Sequence, residues 1–159
     1  MKETSTWLCD TCGEPIERVE DGWVEWILVT ESDDRCRGRD LRLVHHVPAG
    51  PRGGVHGCQF DGDAERDRDG GAVRDLALCH FLGPDGLMYL LSFIAEGQLP
   101  VTEVLEMVKR LHVPGYEHAR PYFEGAICAE VFVPSLPEGY YRQSDIRATL
   151  QYAEQPGHR

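Results

Sequence analysis

The spacing Cys9-Asp10-Thr11-Cys12-Gly13 constrains this chain more than any other feature in it. Two thiols two residues apart can face one tetrahedral ion from a single turn. Gly13 relieves the sharp turn, and the backbone N–H groups swing toward the sulfurs. Downstream, His45-His46 and Cys58 supply side chains that can complete a shell of four. The gap between the halves has room for two strands. The pattern predicts a structural zinc site held by Cys9, Cys12, His46 and Cys58. His45 and His46 project from opposite faces of a strand, so one of them is expected to join the shell. His46 is the expected ligand because it ends the strand, with His45, Cys36 and His56 as substitutes. A redox role for CxxC would call for a surrounding βαβ pattern, which is not present.

Charge narrows the partners. The chain of 159 residues carries 16 basic and 27 acidic side chains, a formal net charge of −11. That balance repels a phosphate backbone, so nucleic acid is disfavoured and a protein partner is expected. The acidic residues are spread along the chain, unlike the lopsided charge of a dedicated DNA mimic. The start of the chain is polar as far as Trp7, without the apolar core of a signal segment. The longest apolar stretch, near residues 87–95, is too short for a bilayer, so no membrane association is expected. A cytoplasmic location is expected, where six cysteines favour metal ligation or burial over disulfides. Cys79 and Cys128 lie on apolar segments and are expected to be buried thiols.

The residue pattern predicts an α+β chain in three parts. Residues 1–60 read as a zinc-binding β-rich module. Gly22–Thr30 is rich in aromatic and β-branched residues, and Leu41–His46 starts with alternation, so two strands are predicted with a turn at Glu31–Arg35. Trp7, Trp23 and Trp26 are its candidate core. Residues 61–72 carry almost nothing apolar and read as an acidic linker. Residues 73–159 read as a helical domain. Its first helix is predicted over Gly86–Glu96, stopping at Gly97, and a second opens at Pro100. That second helix carries Val101, Val104, Leu105, Val108 and Leu111 on one face, with Glu103, Glu106, Lys109 and Arg110 off it toward solvent. A third is predicted over Tyr116–Glu130 with a kink or late start at Pro121, then a last helix capped by Ser144.

The CxxC, the predicted hairpin and Cys58 together resemble zinc-ribbon and treble-clef domains over residues 7–60. Such a resemblance implies a zinc-stabilised hairpin whose metal is structural. Leu43-Val44-His45-His46-Val47-Pro48, followed by Gly53-Gly54, is also similar to the strand-and-loop signature of HNH-type nucleases. By that resemblance His45 would bind a metal and His46 would act as general base on a water. The chain has no asparagine, and no final metal-binding histidine follows at suitable spacing.

Weaker signals complete the inventory. Glu65, Asp67, Asp69 and Gly70 imitate the first half of a calcium loop, but Leu76 stands where its closing glutamate belongs. The helix pair around His112-Val113-Pro114-Gly115 could form a helix-turn-helix, whose second helix would present Glu117, His118, Arg120 and Glu124. Tyr116, Tyr122, Tyr140 and Tyr141, with Arg120 and Arg142, suit either a protein interface or ordinary helix ends. These readings converge on a non-enzymatic cytosolic adaptor or regulator working through protein–protein contacts. A DNA-binding regulator and an HNH-like nuclease, or its inactive remnant, are the alternatives.

Overall fold

A computed structural model describes residues 6–158 of the chain. The chain is mixed α+β and divides into two compact units, Met1–His112 and Val113–Arg159.

The first unit is built around strand order. β1 (Trp7–Leu8) and β2 (Pro15–Ile16) pair antiparallel and bracket the CxxC turn. β3 (Gly22–Thr30) is the middle strand of a three-stranded antiparallel sheet ordered β4-β3-β5. Its neighbours are β4 (Cys36–His45) and β5 (Ala72–Ala77). A middle strand is covered on both faces, which is why Val24 and Ile27, from opposite faces, are both fully buried. β4 begins at Cys36 rather than at the expected Leu41. The polar run Arg37-Gly38-Arg39-Asp40 has no strand signature, yet it pairs with β3. A bulge interrupts that pairing beside Trp26, with Asp40 at a φ of 58°. Leu41 N–H, freed there, donates to Glu103 Oε2 at 2.8 Å.

One sheet face meets two helices, α2 (Gly83–Glu96) and α3 (Val101–His112). The Trp26 ring lies 5.1 Å from Phe93 and 6.4 Å from Phe81, both edge-on. Leu43, Leu78, Leu90, Val104 and Met107 close this core. Each such side chain taken fully out of water contributes about 1.5–3 kcal/mol. α2 starts at Gly83, one turn before the expected Gly86, and ends at Gly97 in the left-handed conformation. α3 starts directly after Pro100 as predicted, but its buried positions are Val104, Met107 and Arg110. Val101, expected on the core face, is exposed, and Arg110, expected in solvent, is buried.

The opposite sheet face meets the segment read as a linker. Residues 61–72 instead form α1 (Gly62–Asp69) and the start of β5. Asp61 caps α1 through its side chain, accepting from Asp63 N at 3.0 Å and Ala64 N at 3.2 Å. Glu65 and Asp69, four residues apart on one helix face, both grip Arg39, at 2.6 and 3.1 Å. Those carboxylates are therefore on a helix and engaged with Arg39, not in a calcium loop. β5 pairs with β3 from Trp23↔Ala77 to Leu28↔Ala72. The β-rich module therefore runs well past residue 60, and the expected boundaries at 60 and 72 fall inside one compact unit.

The second unit is helical. α4 (Tyr116–Ala119) passes through a 3-10 turn at Arg120–Tyr122 into α5 (Phe123–Cys128). Pro121 sits in that turn and breaks the single helix expected there. α6 (Gln143–Ala153) follows. Asp145 Oδ2 accepts from Arg142 N at 3.0 Å, so the start of α6 is tied by Asp145 rather than by the expected Ser144. Tyr116, Ala119, Phe123 and Ile146 are its buried core, with Tyr141 stacked on Phe123 at 3.8 Å. The two helices read as a helix-turn-helix fall in different compact units, and Glu117 is buried beside Arg120 at 3.2 Å. Cys79 and Cys128, expected to be buried, are exposed. Among the described residues no helix is long and apolar enough to cross a membrane.

Candidate metal centre

The CxxC turn hangs between β1 and β2. Cys9 N–H donates to Glu14 O at 3.0 Å, and Gly13 N–H donates back to Cys9 O at 2.9 Å. Gly13 takes a φ of 78°, which an L side chain resists. The turn is set against the edge of β4 by a reciprocal pair: Asp10 N–H donates to Leu43 O, and Leu43 N–H donates to the Asp10 carboxylate, each at 2.8 Å. This docking brings the two sulfurs to the end of β4.

Cys9, Cys12, His45 and Cys58 converge there, with one ligand atom from each and all of these atoms within 4.8 Å of one another. Such a Cys3His cluster is positioned to bind a metal ion. Cys9, His45 and Cys58 are buried and Cys12 is half-buried. His45 Nδ1 lies 3.4 Å from Cys12 Sγ and 3.9 Å from Cys58 Sγ. A tetrahedral zinc shell with ordinary bond lengths would put those edges at about 3.6 Å.

His45, not His46, stands in the cluster. Along β4, Leu41, Leu43 and His45 share one face, and that face turns inward. His46 takes the other side and stacks on Trp23, ring centroids 4.7 Å apart. Cys36 is exposed at the far end of β4, and His56 lies beside Asp61 at 3.6 Å, so neither substitute joins. Cys9, Cys12 and Cys58 are placed together as the sequence predicts.

The imidazole is oriented for ligation. His45 Nε2 lies 3.1 Å from Pro15 O. A carbonyl only accepts, so Nε2 carries the proton and Nδ1 keeps its lone pair toward the sulfurs. Cys58 is fixed through its own carbonyl, which accepts from Thr11 Oγ1 at 2.6 Å and Arg42 Nη2 at 3.3 Å. Arg42 is itself held by the fully buried Glu25 at 2.6 Å. Burial pushes the Glu25 carboxyl up, with Arg42 opposing that rise. Gly50 closes the shell from the loop side. A Cβ there would lie 2.8 Å from His45 Cβ and 3.0 Å from Cys58 Sγ.

The thiols are unequal before any metal arrives. Burial raises the Cys9 thiol, but the Cys12, His45 and Thr11 backbone bonds outweigh it and bring it down to about 7. Burial, followed by the neighbouring Cys9 charge, pushes Cys58 up to about 12. Of these two thiols, Cys9 ionises first. Donors that turn toward one sulfur are what a thiolate–metal bond also needs.

Sequence reasoning missed the surrounding residues Asp10, Thr11, Pro15, Arg42, Gly50 and Arg110. Each acts through a backbone contact or a long-range pairing that carries no local motif. The identity of the fourth ligand did carry a signal, in the alternation of Leu41, Leu43 and His45. Comparison with protein-family models, curated proteins and solved structures gives no match to this chain.

Proposed function

We propose that this chain is a cytosolic, non-enzymatic adaptor or regulator whose fold is stabilised by one structural zinc ion and which acts through protein–protein contacts. The observation that carries the zinc reading is the closed set of four donors, three thiols and one imidazole of fixed tautomer. A catalytic zinc keeps one position for water or substrate, whereas four protein ligands leave none. Thiol-rich ligation suits zinc over magnesium or calcium, which take oxygen donors. Free thiols at all six cysteines are consistent with a reducing compartment. The resemblance to zinc-ribbon and treble-clef modules belongs to the same proposal, with the CxxC turn as its first half and Cys58 as its second.

The nuclease reading draws no support from the histidine pair. His45 stands among the cysteines, and His46 is stacked on Trp23. The DNA-binding reading has to work against a net charge of −11.

Two measurements test the proposal. Elemental analysis of protein purified under reducing conditions is expected to give about one zinc per chain, with loss of folding in Cys9→Ser. Zinc-free, fully folded protein sinks the metal reading. Affinity capture from the native host, with mass spectrometry, tests the adaptor reading. Capture of nucleic acid without a specific protein would replace it.

A further inference from the structure

α2 carries two lanes that the fold leaves unused. Gly86, Leu90 and Phe93 form its buried face. Pro84, Met88, Leu91 and Ala95 recur at helical spacing on another face, and all four are exposed. Met88 is 66% exposed and Leu91 41%, so this is a strip of apolar surface on a rigid element. Beside it run Asp85 and Glu96. They are eleven residues apart, three helical turns, and so stand in line along one edge of the strip. Both are exposed, and among the described residues neither has an ion-pair partner. α2 has no basic residue at all.

An apolar lane edged by two aligned free carboxylates matches one kind of partner. A helix laid along it would bury leucine-like residues on the strip and place lysine or arginine over the acids, three turns apart. We propose that α2 docks a basic amphipathic helix of a partner protein, through Met88 and Leu91 with Asp85 and Glu96 as charge contacts. This rests on the adaptor reading and names the chemistry of its partner. The chain's overall charge does not replace the lane. At physiological ionic strength fields are screened beyond about 8 Å, so only carboxylates next to the docked helix discriminate. A second copy of this chain is the poorer occupant, because its own α2 would bring Asp85 and Glu96 to the same edge.

The probe is a synthetic amphipathic helix of leucine and lysine, titrated calorimetrically into the full chain at near-physiological salt. One-to-one binding is expected. Met88→Asp should weaken it about tenfold or more, and so should the pair Asp85→Lys with Glu96→Lys. The pair Asp63→Lys with Asp67→Lys changes the net charge equally, on α1 across the sheet from α2, and should leave affinity within about twofold. All these side chains are exposed, so melting temperatures should hold. Should Met88→Asp melt early, Met88→Gln takes its place. Absence of binding overturns the proposal, and so does equal weakening by both charge pairs. A concentration-dependent dimer abolished by Met88→Asp also overturns it and gives the strip to a second copy. A host protein captured equally well by wild type and Met88→Asp removes this surface while leaving the adaptor reading intact. If no host protein is captured the adaptor reading falls, while the peptide titration still decides the lane.

Discussion

Arg110 Nη1 lies 2.7 Å from Asp10 Oδ2, joining residues one hundred positions apart. Asp10 sits inside the CxxC turn, and Arg110 in the last turn of α3. The second guanidinium nitrogen donates to Leu8 O at 2.8 Å. The same Asp10 carboxylate accepts from Leu43 N. One ion pair therefore ties a helix, a strand edge and the CxxC turn together, and Arg110 is only 5% exposed.

Breaking that pair from one side is expected to be costly. Asp10→Ala leaves a buried guanidinium without its carboxylate and Leu43 N–H without its acceptor. The expected loss is about 3 kcal/mol, read from urea unfolding of the zinc-loaded protein. Asp10→Ala with Arg110→Met removes both members of the pair and should recover a good part of it. A single variant as stable as wild type would show that the pair does not hold the turn.

The two histidines separate cleanly. His45→Ala removes the oriented Nδ1 donor, and zinc affinity should fall by more than the 10- to 100-fold typical of outer-shell losses. His46→Ala removes a stack on Trp23 and should leave zinc content near one per chain. Competition against a chromogenic chelator measures both. The reverse pattern would return the ligand role to His46.

The Cys3His cluster was legible where covalent spacing alone decides it. Cys9 and Cys12 are close in any fold, and a Gly-rich turn ahead of Cys58 marks a second approach. The choice between His45 and His46 turned on a strand face. Alternation with Leu41 and Leu43 outweighs position at the strand end, because Leu43 is fully buried and sets the face. β3 was legible from end to end, since its apolar residues are local. β4's first half, α1 and β5 were not. Their side chains are polar, and they are ordered by partners far away, as Arg39 is by Glu65 and Asp69. Arg110 misled for the same reason. A charge looks solvent-bound until a carboxylate one hundred residues earlier is folded against it.

Gly50 is expected to be intolerant of any side chain. Its missing Cβ leaves room for His45 Cβ and Cys58 Sγ, which an added methyl would approach to 2.8 and 3.0 Å. Gly50→Ala should cost about 1–3 kcal/mol and loosen zinc, as either ligand gives way. Gly53→Ala, in the same loop with open space around it, is the control. Equal behaviour of the two variants in melting and chelator competition would remove the packing argument.

Zinc binding should weaken as the pH falls through 7. Protons and zinc compete for the same sulfurs. Cys9 is held down at about 7 in the metal-free fold, against an ordinary value of 9.0. Its contribution to metal-free stability is therefore complete above pH 9 and lost as the pH falls through 7. Cys58, pushed up to about 12, runs the other way: its contribution is present below pH 9 and lost as the pH rises toward 12. Through the neutral range Cys58 therefore holds a proton that zinc must displace. At about pH 8 each zinc should release at least one proton from Cys58, and at about pH 6 a further one from Cys9. Calorimetry in buffers of different ionisation enthalpy counts those protons directly. A count that does not rise between the two conditions would show that Cys9 is not held down near 7.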